Sequence, residues 1–189
     1  MIVTLARESG SRWALMLAVA MGVSGLLLTG VVLELPFLDR GIPGSWLVAS
    51  TLSLLAWYVM RPRWQREIAR LPGAPRHRVI VALFAAILVA IGTTPMALVG
   101  ISRYELTLYP ALFSMAVLGA VVAGNLGWMP ILVFSILAET VNNLSLNALS
   151  FWVSSHHEEV AAAGAVLLGV LVAVYILKGP RFGHPSADE

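Results

Sequence analysis

Six runs of mainly apolar residues constrain this chain more than any other feature. They extend from Trp13 to Leu35, Trp46 to Met60, Val79 to Val99, Leu106 to Ala123, Met129 to Leu149 and Val160 to Leu177. A helix needs about 20 such residues to cross a hydrocarbon core of about 30 Å. The second run is the shortest, and Ile42 to Ser45 can extend it. Backbone exposed to lipid must satisfy its own hydrogen bonds, and continuous apolar runs lack the alternation of barrel strands, so each run is read as a helix. Of the 189 residues, 59% are hydrophobic and 12% charged. Several of these helices therefore have no polar face, which excludes a soluble domain. The predicted fold class is all-α, a polytopic membrane protein of six transmembrane helices.

The charges set the expected orientation. With the N-terminus inside, ten of the twelve Lys and Arg residues fall on the cytoplasmic side, leaving Arg40 and Arg103 outside. The positive-inside rule then places both termini in the cytoplasm. The arginines sit in short gaps between apolar runs, so topology accounts for them and no nucleic-acid partner is needed. Trp13, Trp46, Trp57, Tyr58, Trp128 and Trp152 lie near predicted span ends, where amphipathic rings suit the membrane interface. The stretch after Arg12 is too long for the apolar core of a signal peptide and is read as the first span. Residues 1–178 are expected to form a single membrane domain, and residues 179–189 a cytoplasmic tail that contains Pro180, Gly183 and Pro185 and frays. With no cysteine in the chain, disulfides, thiolate metal sites and cysteine nucleophiles are excluded.

Two segments carry candidate chemistry. The cytoplasmic gap from Arg61 to Arg78, between spans two and three, contains Trp64, Ile68 and Leu71 at i, i+4 and i+7, one face of a two-turn amphipathic helix. Glu67 can pair with Arg63 and Arg70 across it, each pair adding about 0.2–0.5 kcal/mol. The helix either lies on anionic lipid or docks a soluble partner. In span five, Ser135, Glu139, Asn143 and Asn147 recur every four residues with Asn142 beside them. Glu139 is expected near the midplane, about 13 Å beyond Pro130. A carboxyl there must face protein or a water-filled cavity. The stripe is thus either hydrogen-bond glue between helices or the lining of a translocation pathway.

Other patterns offer less. Thr93-Thr94-Pro95 predicts a kink or unwinding in span three. Gly22-Val23-Ser24-Gly25 matches an intramembrane serine-protease pattern, but every histidine falls outside the predicted spans and no base can reach Ser24. His156, His157, Glu158 and Glu159 are consecutive and converge poorly on one ion, so they are read as a solvated loop rather than a metal site. No Walker A motif is present.

Six spans, both ends inside and a cytoplasmic helix between spans two and three resemble the permease subunit of a type-2 ABC exporter. Met1 to Arg12 is similar in length to that family's N-terminal amphipathic segment, and Asn143 to His157 to its partly re-entrant stretch. Tyr175-Ile176-Leu177-Lys178-Gly179-Pro180-Arg181 looks like the end of small permeases of this kind from high-GC Gram-positive bacteria. Short outer loops and a short chain depart from the family pattern. The resemblance implies a transporter rather than an enzyme, in the bacterial cytoplasmic membrane. Separate ATP-binding subunits would dock on Trp64, Glu67, Ile68, Arg70 and Leu71. A second permease chain, identical or different, would complete the pathway. ATP and Mg would be held by the partner subunit, with no cofactor on this chain. The cargo would be amphipathic or hydrophobic, such as a peptide, antibiotic or lipid. Rival readings are the substrate-binding component of an energy-coupling-factor importer and a non-transporting subunit that assembles a membrane complex.

Overall fold

The computed structural model describes residues 11–28, 30–33, 42–60, 73–99, 103–145 and 147–180. Within them the chain is almost entirely helical, as the apolar runs require. Seven α-helices follow in order: α1 Ser11–Leu28, α2 Gly44–Met60, α3 Ala74–Val99, α4 Arg103–Leu118, α5 Trp128–Leu144, α6 Ala148–Ser155 and α7 His157–Lys178. A π-turn at Gly119–Ala123 and a 3-10 turn at Gly124–Leu126 link α4 to α5. Two short strands, β1 Val32–Leu33 and β2 Ile42–Pro43, pair antiparallel before α2, and the Gly44 amide donates to the Val31 carbonyl at 2.9 Å. Among the described residues, three segments are long and apolar enough to cross a membrane: Ala74–Val99, Tyr109–Leu126 and His157–Lys178. Arg12–Leu28, Gly44–Met60 and Trp128–Asn142 are apolar but shorter.

Element boundaries differ from the sequence expectation in physically clear ways. Helix α3 begins at Ala74 rather than Val79, so the gap before it is shorter than the expected Arg61 to Arg78. Pro75 suits a first turn because its missing N–H would have no intrahelical acceptor there. The α3 helix then runs unbroken through Pro95. The expected unwinding is absent, and the Thr93 and Thr94 hydroxyls donate to the carbonyls of Val89 at 2.8 Å and Ala90 at 2.6 Å. Helix α5 ends at Leu144, short of Leu149, and α6 stands as a separate helix before α7. Helix α7 starts at His157, which takes His157, Glu158 and Glu159 out of the expected loop and into its first turn. Carboxylates are favoured at that positive end of the helix dipole. Gly179 and Pro180, the first residues of the expected tail, are buried, and residues 181–189 lie outside the described residues.

Helix α2 occupies the centre and packs against α1, α3, α4 and α5, while α4 touches α2, α5, α6 and α7. Small residues permit the closest crossings. A Cβ on Gly22 would meet the Gly92 carbonyl at 3.2 Å, and one on Gly119 would collide with the Gly127 backbone. Around this core the surface is apolar. Helix α7 buries only Tyr175 and exposes Val166, Leu167, Val170 and Leu177. Such exposure is unfavourable in water and without penalty in lipid. Trp46 and Trp57, read from the sequence as interfacial anchors, are instead 1% and 7% exposed. An indole suits both settings, and here the bundle takes both rings.

Candidate functional site

Among the described residues, most of the buried polar side chains lie on α2 and α5, with Ser114 on α4 apart from them. Ser45, Ser50, Ser135, Glu139 and Asn142 are all buried. The Trp46 indole N–H donates to the Ser135 carbonyl at 3.3 Å, and the hydroxyls of Ser50 and Ser135 lie 2.9 Å apart. Each hydroxyl also contacts the carbonyl one turn back, Ser50 to Trp46 at 2.9 Å and Ser135 to Ile131 at 2.7 Å. A serine can close such a local bond and still present its oxygen to a neighbouring helix.

These contacts set the direction of the pair. A Cβ on Gly127, just before α5, would strike the Trp57 indole nitrogen, whereas Ser135, further along α5, meets the earlier α2 residues Trp46 and Ser50. The two helices are therefore antiparallel. One turn beyond Ser135, about 6 Å along the axis, Glu139 comes level with the first turn of α2. Unpaired N–H groups and the positive end of the helix dipole favour a carboxyl there. Glu139 is 3% exposed, and neither it nor Ser45 lacks a partner. Because α5 stops at Leu144, Glu139 lies about 7.5 Å from the helix end rather than midway along a longer span.

Asn142 joins α5 to the turn and helix that follow it. Its side-chain oxygen accepts the Ser150 amide at 3.0 Å, and its amide group donates to the Asn147 side chain at 3.4 Å. Its carbonyl accepts the Asn147 amide at 2.8 Å. Asn142 thus organises the turn between α5 and α6. Asn147 does not continue the stripe on α5: it lies beyond the helix, exposed, with φ 67°. Asparagine is one of the few residues that enters this left-handed region readily. The side chain of Asn143 lies outside the described residues, as do Trp64, Glu67, Ile68, Arg70 and Leu71. What is described is the frame beside residues 61–72. Met60 is fully buried at the end of α2, and the Tyr175 hydroxyl of α7 donates to its carbonyl at 3.4 Å.

Trp46 and Ser50 were missed as partners of the stripe. A signal was present, since Trp46, Ser50, Ser53 and Trp57 recur at i, i+4, i+7 and i+11 along one face. An open apolar groove of about 620 Å³ lies between α1 and α3, lined by residues including Leu26, Ile91, Pro95 and Leu98, and none of the seam residues contributes to it. Chemically, the seam can fasten two helices and place one carboxyl inside the bundle. Comparisons with protein-family models, with curated proteins and with solved structures find no match.

Proposed function

We propose that the chain is the transmembrane subunit of an ATP-binding-cassette transporter. It would have six spans in a bacterial cytoplasmic membrane and export an amphipathic or hydrophobic substrate. The observation that carries this reading is the position of α2. Its outer half holds the polar seam with α5, its flanks touch α1, α3 and α4, and its last residue, Met60, leads directly into residues 61–72. A force applied to that segment would reach the centre of the bundle through one helix. In the proposed mechanism, ATP-binding subunits dock on Trp64, Glu67, Ile68, Arg70 and Leu71 and move α2 against α5. ATP and Mg belong to those subunits, and a second permease chain completes the pathway. Separating α2 from α5 would break the Trp46 and Ser50 contacts with Ser135, a modest barrier because hydrogen bonds between membrane helices average about 0.6 kcal/mol each.

The test is to purify the chain gently from its own host, with and without Ile68→Ser, and to assay co-purifying ATPase in lipid. A buried interface anchor contributes about 2 kcal/mol or more. The substitution should therefore abolish most of the associated ATPase, whereas simple lipid attraction by the arginines would survive it. If the unaltered chain brings down no ATPase, the transporter reading fails. The reading then favoured is a subunit that assembles a membrane complex, for which the exposed apolar length of α7 supplies a surface.

A further inference from the structure

At the end expected to face the cytoplasm, three helices meet through polar contacts of a different kind from the seam. Arg78, in the second turn of α3, reaches the last turn of α7. One guanidinium nitrogen donates to the carbonyls of both Ile176 and Leu177 at 3.0 Å. Those carbonyls belong to a helix end, where no intrahelical donor follows. A cation is also favoured there by the negative end of the helix dipole. The chain then leaves α7 at Gly179 with φ 76° and ψ 178°, a conformation essentially confined to glycine. A Cβ on Gly179 would lie 2.7 Å from the guanidinium carbon of Arg78, so the backbone passes directly beneath it. One turn back, Tyr175 is fully buried with its hydroxyl on the Met60 carbonyl.

We infer that Arg78 is the positioning residue of a latch, completed by Tyr175 and Gly179, that binds the end of α7 to the ends of α2 and α3. Residues 61–72 lie between α2, whose last residue Met60 meets Tyr175, and α3, whose Arg78 meets Ile176 and Leu177, so the helix on each side of that segment is tied to α7. Displacement of either flank carries the end of α7 with it. As a relay of ATP-driven motion this rests on the proposed function, whereas the latch itself does not.

The chain contains no cysteine, so pairs of introduced cysteines can carry spin labels without background. Labels at Tyr58→Cys on α2 and Leu177→Cys on α7, both exposed positions, read the latch in lipid nanodiscs. A single narrow distance peak is expected in the parent. Arg78→Lys, which keeps a cationic donor, should retain it, and Arg78→Gln should lose it. A narrow, unshifted peak in Arg78→Gln would overturn the latch, and a retained peak with Tyr175→Phe would confine it to Arg78 and Gly179. A second pair, Leu47→Cys and Val166→Cys, reads the relay in complexes carrying the co-purified ATPase. ATP with vanadate should shift this distance in the parent and not in Arg78→Gln. Persistence of the shift would refute the relay. If no ATPase co-purifies, the proposed function fails, while the first pair still decides whether the latch exists.

Discussion

Ser135 is the residue through which α5 grips the central helix, since its hydroxyl meets Ser50 and its carbonyl accepts from Trp46. Replacing it by alanine removes only the hydroxyl contact. Ser135→Ala should cost about 0.6 kcal/mol, and no more than about 1.7, in reversible unfolding from mixed micelles. Glu139 should respond more sharply. Glu139→Gln preserves shape and most acceptor capacity, whereas Glu139→Leu removes the polar group altogether, and a buried polar partner left unsatisfied costs about 1–3 kcal/mol. The same unfolding assay should therefore rank parent and Gln together, with Leu well below. Equal stability of Leu and parent would show that the carboxyl is no structural partner. If the Gln variant assembles normally but loses transport, the charge itself is functional.

At the scale of elements, the junctions decide where helices stop. Asn147 occupies the left-handed region between α5 and α6, which costs other L-residues roughly 1–2 kcal/mol. Asn147→Gly should be tolerated, and Asn147→Val should destabilise by at least that amount and raise amide exchange across Ser150. The Gly119–Gly127 approach is less forgiving, because the obstacle to a Cβ is backbone and cannot rotate away. Gly119→Ala should lower thermal stability in detergent more than alanine at Gly164 or Gly169, where nothing lies within 4 Å. Equal losses at all three positions would contradict the close packing of the α4–α5 turn.

For the whole molecule, the proposed six-span arrangement predicts a specific labelling pattern. In intact cells, cysteines placed at Asp39 and His156 should react with an impermeant maleimide, and those at Arg70 and Lys178 should react only after permeabilisation. Labelling at Arg70 from outside would invert the topology. The antiparallel pairing of α2 and α5 is compatible with the expected arrangement, in which those two spans cross in opposite directions.

Apolar run length and composition by themselves determined that the chain is helical and rich in segments suited to lipid, because an apolar stretch without a polar face has no stable place in water. The i+4 spacing of Ser135 and Glu139 also showed that one face of α5 must be covered. Only the tertiary structure decided what covers it. Periodicity reports which residues share a face, not which helix that face meets, so Trp46 and Ser50 emerged as partners only once α2 was seen at the centre. For the same reason Trp46 and Trp57 could be read as interfacial rings although the bundle buries both. Arg78 is the clearest case: charge counting assigned it to one side of a membrane, and its grip on the end of α7 arises from a contact 98 residues away along the chain that no local pattern encodes.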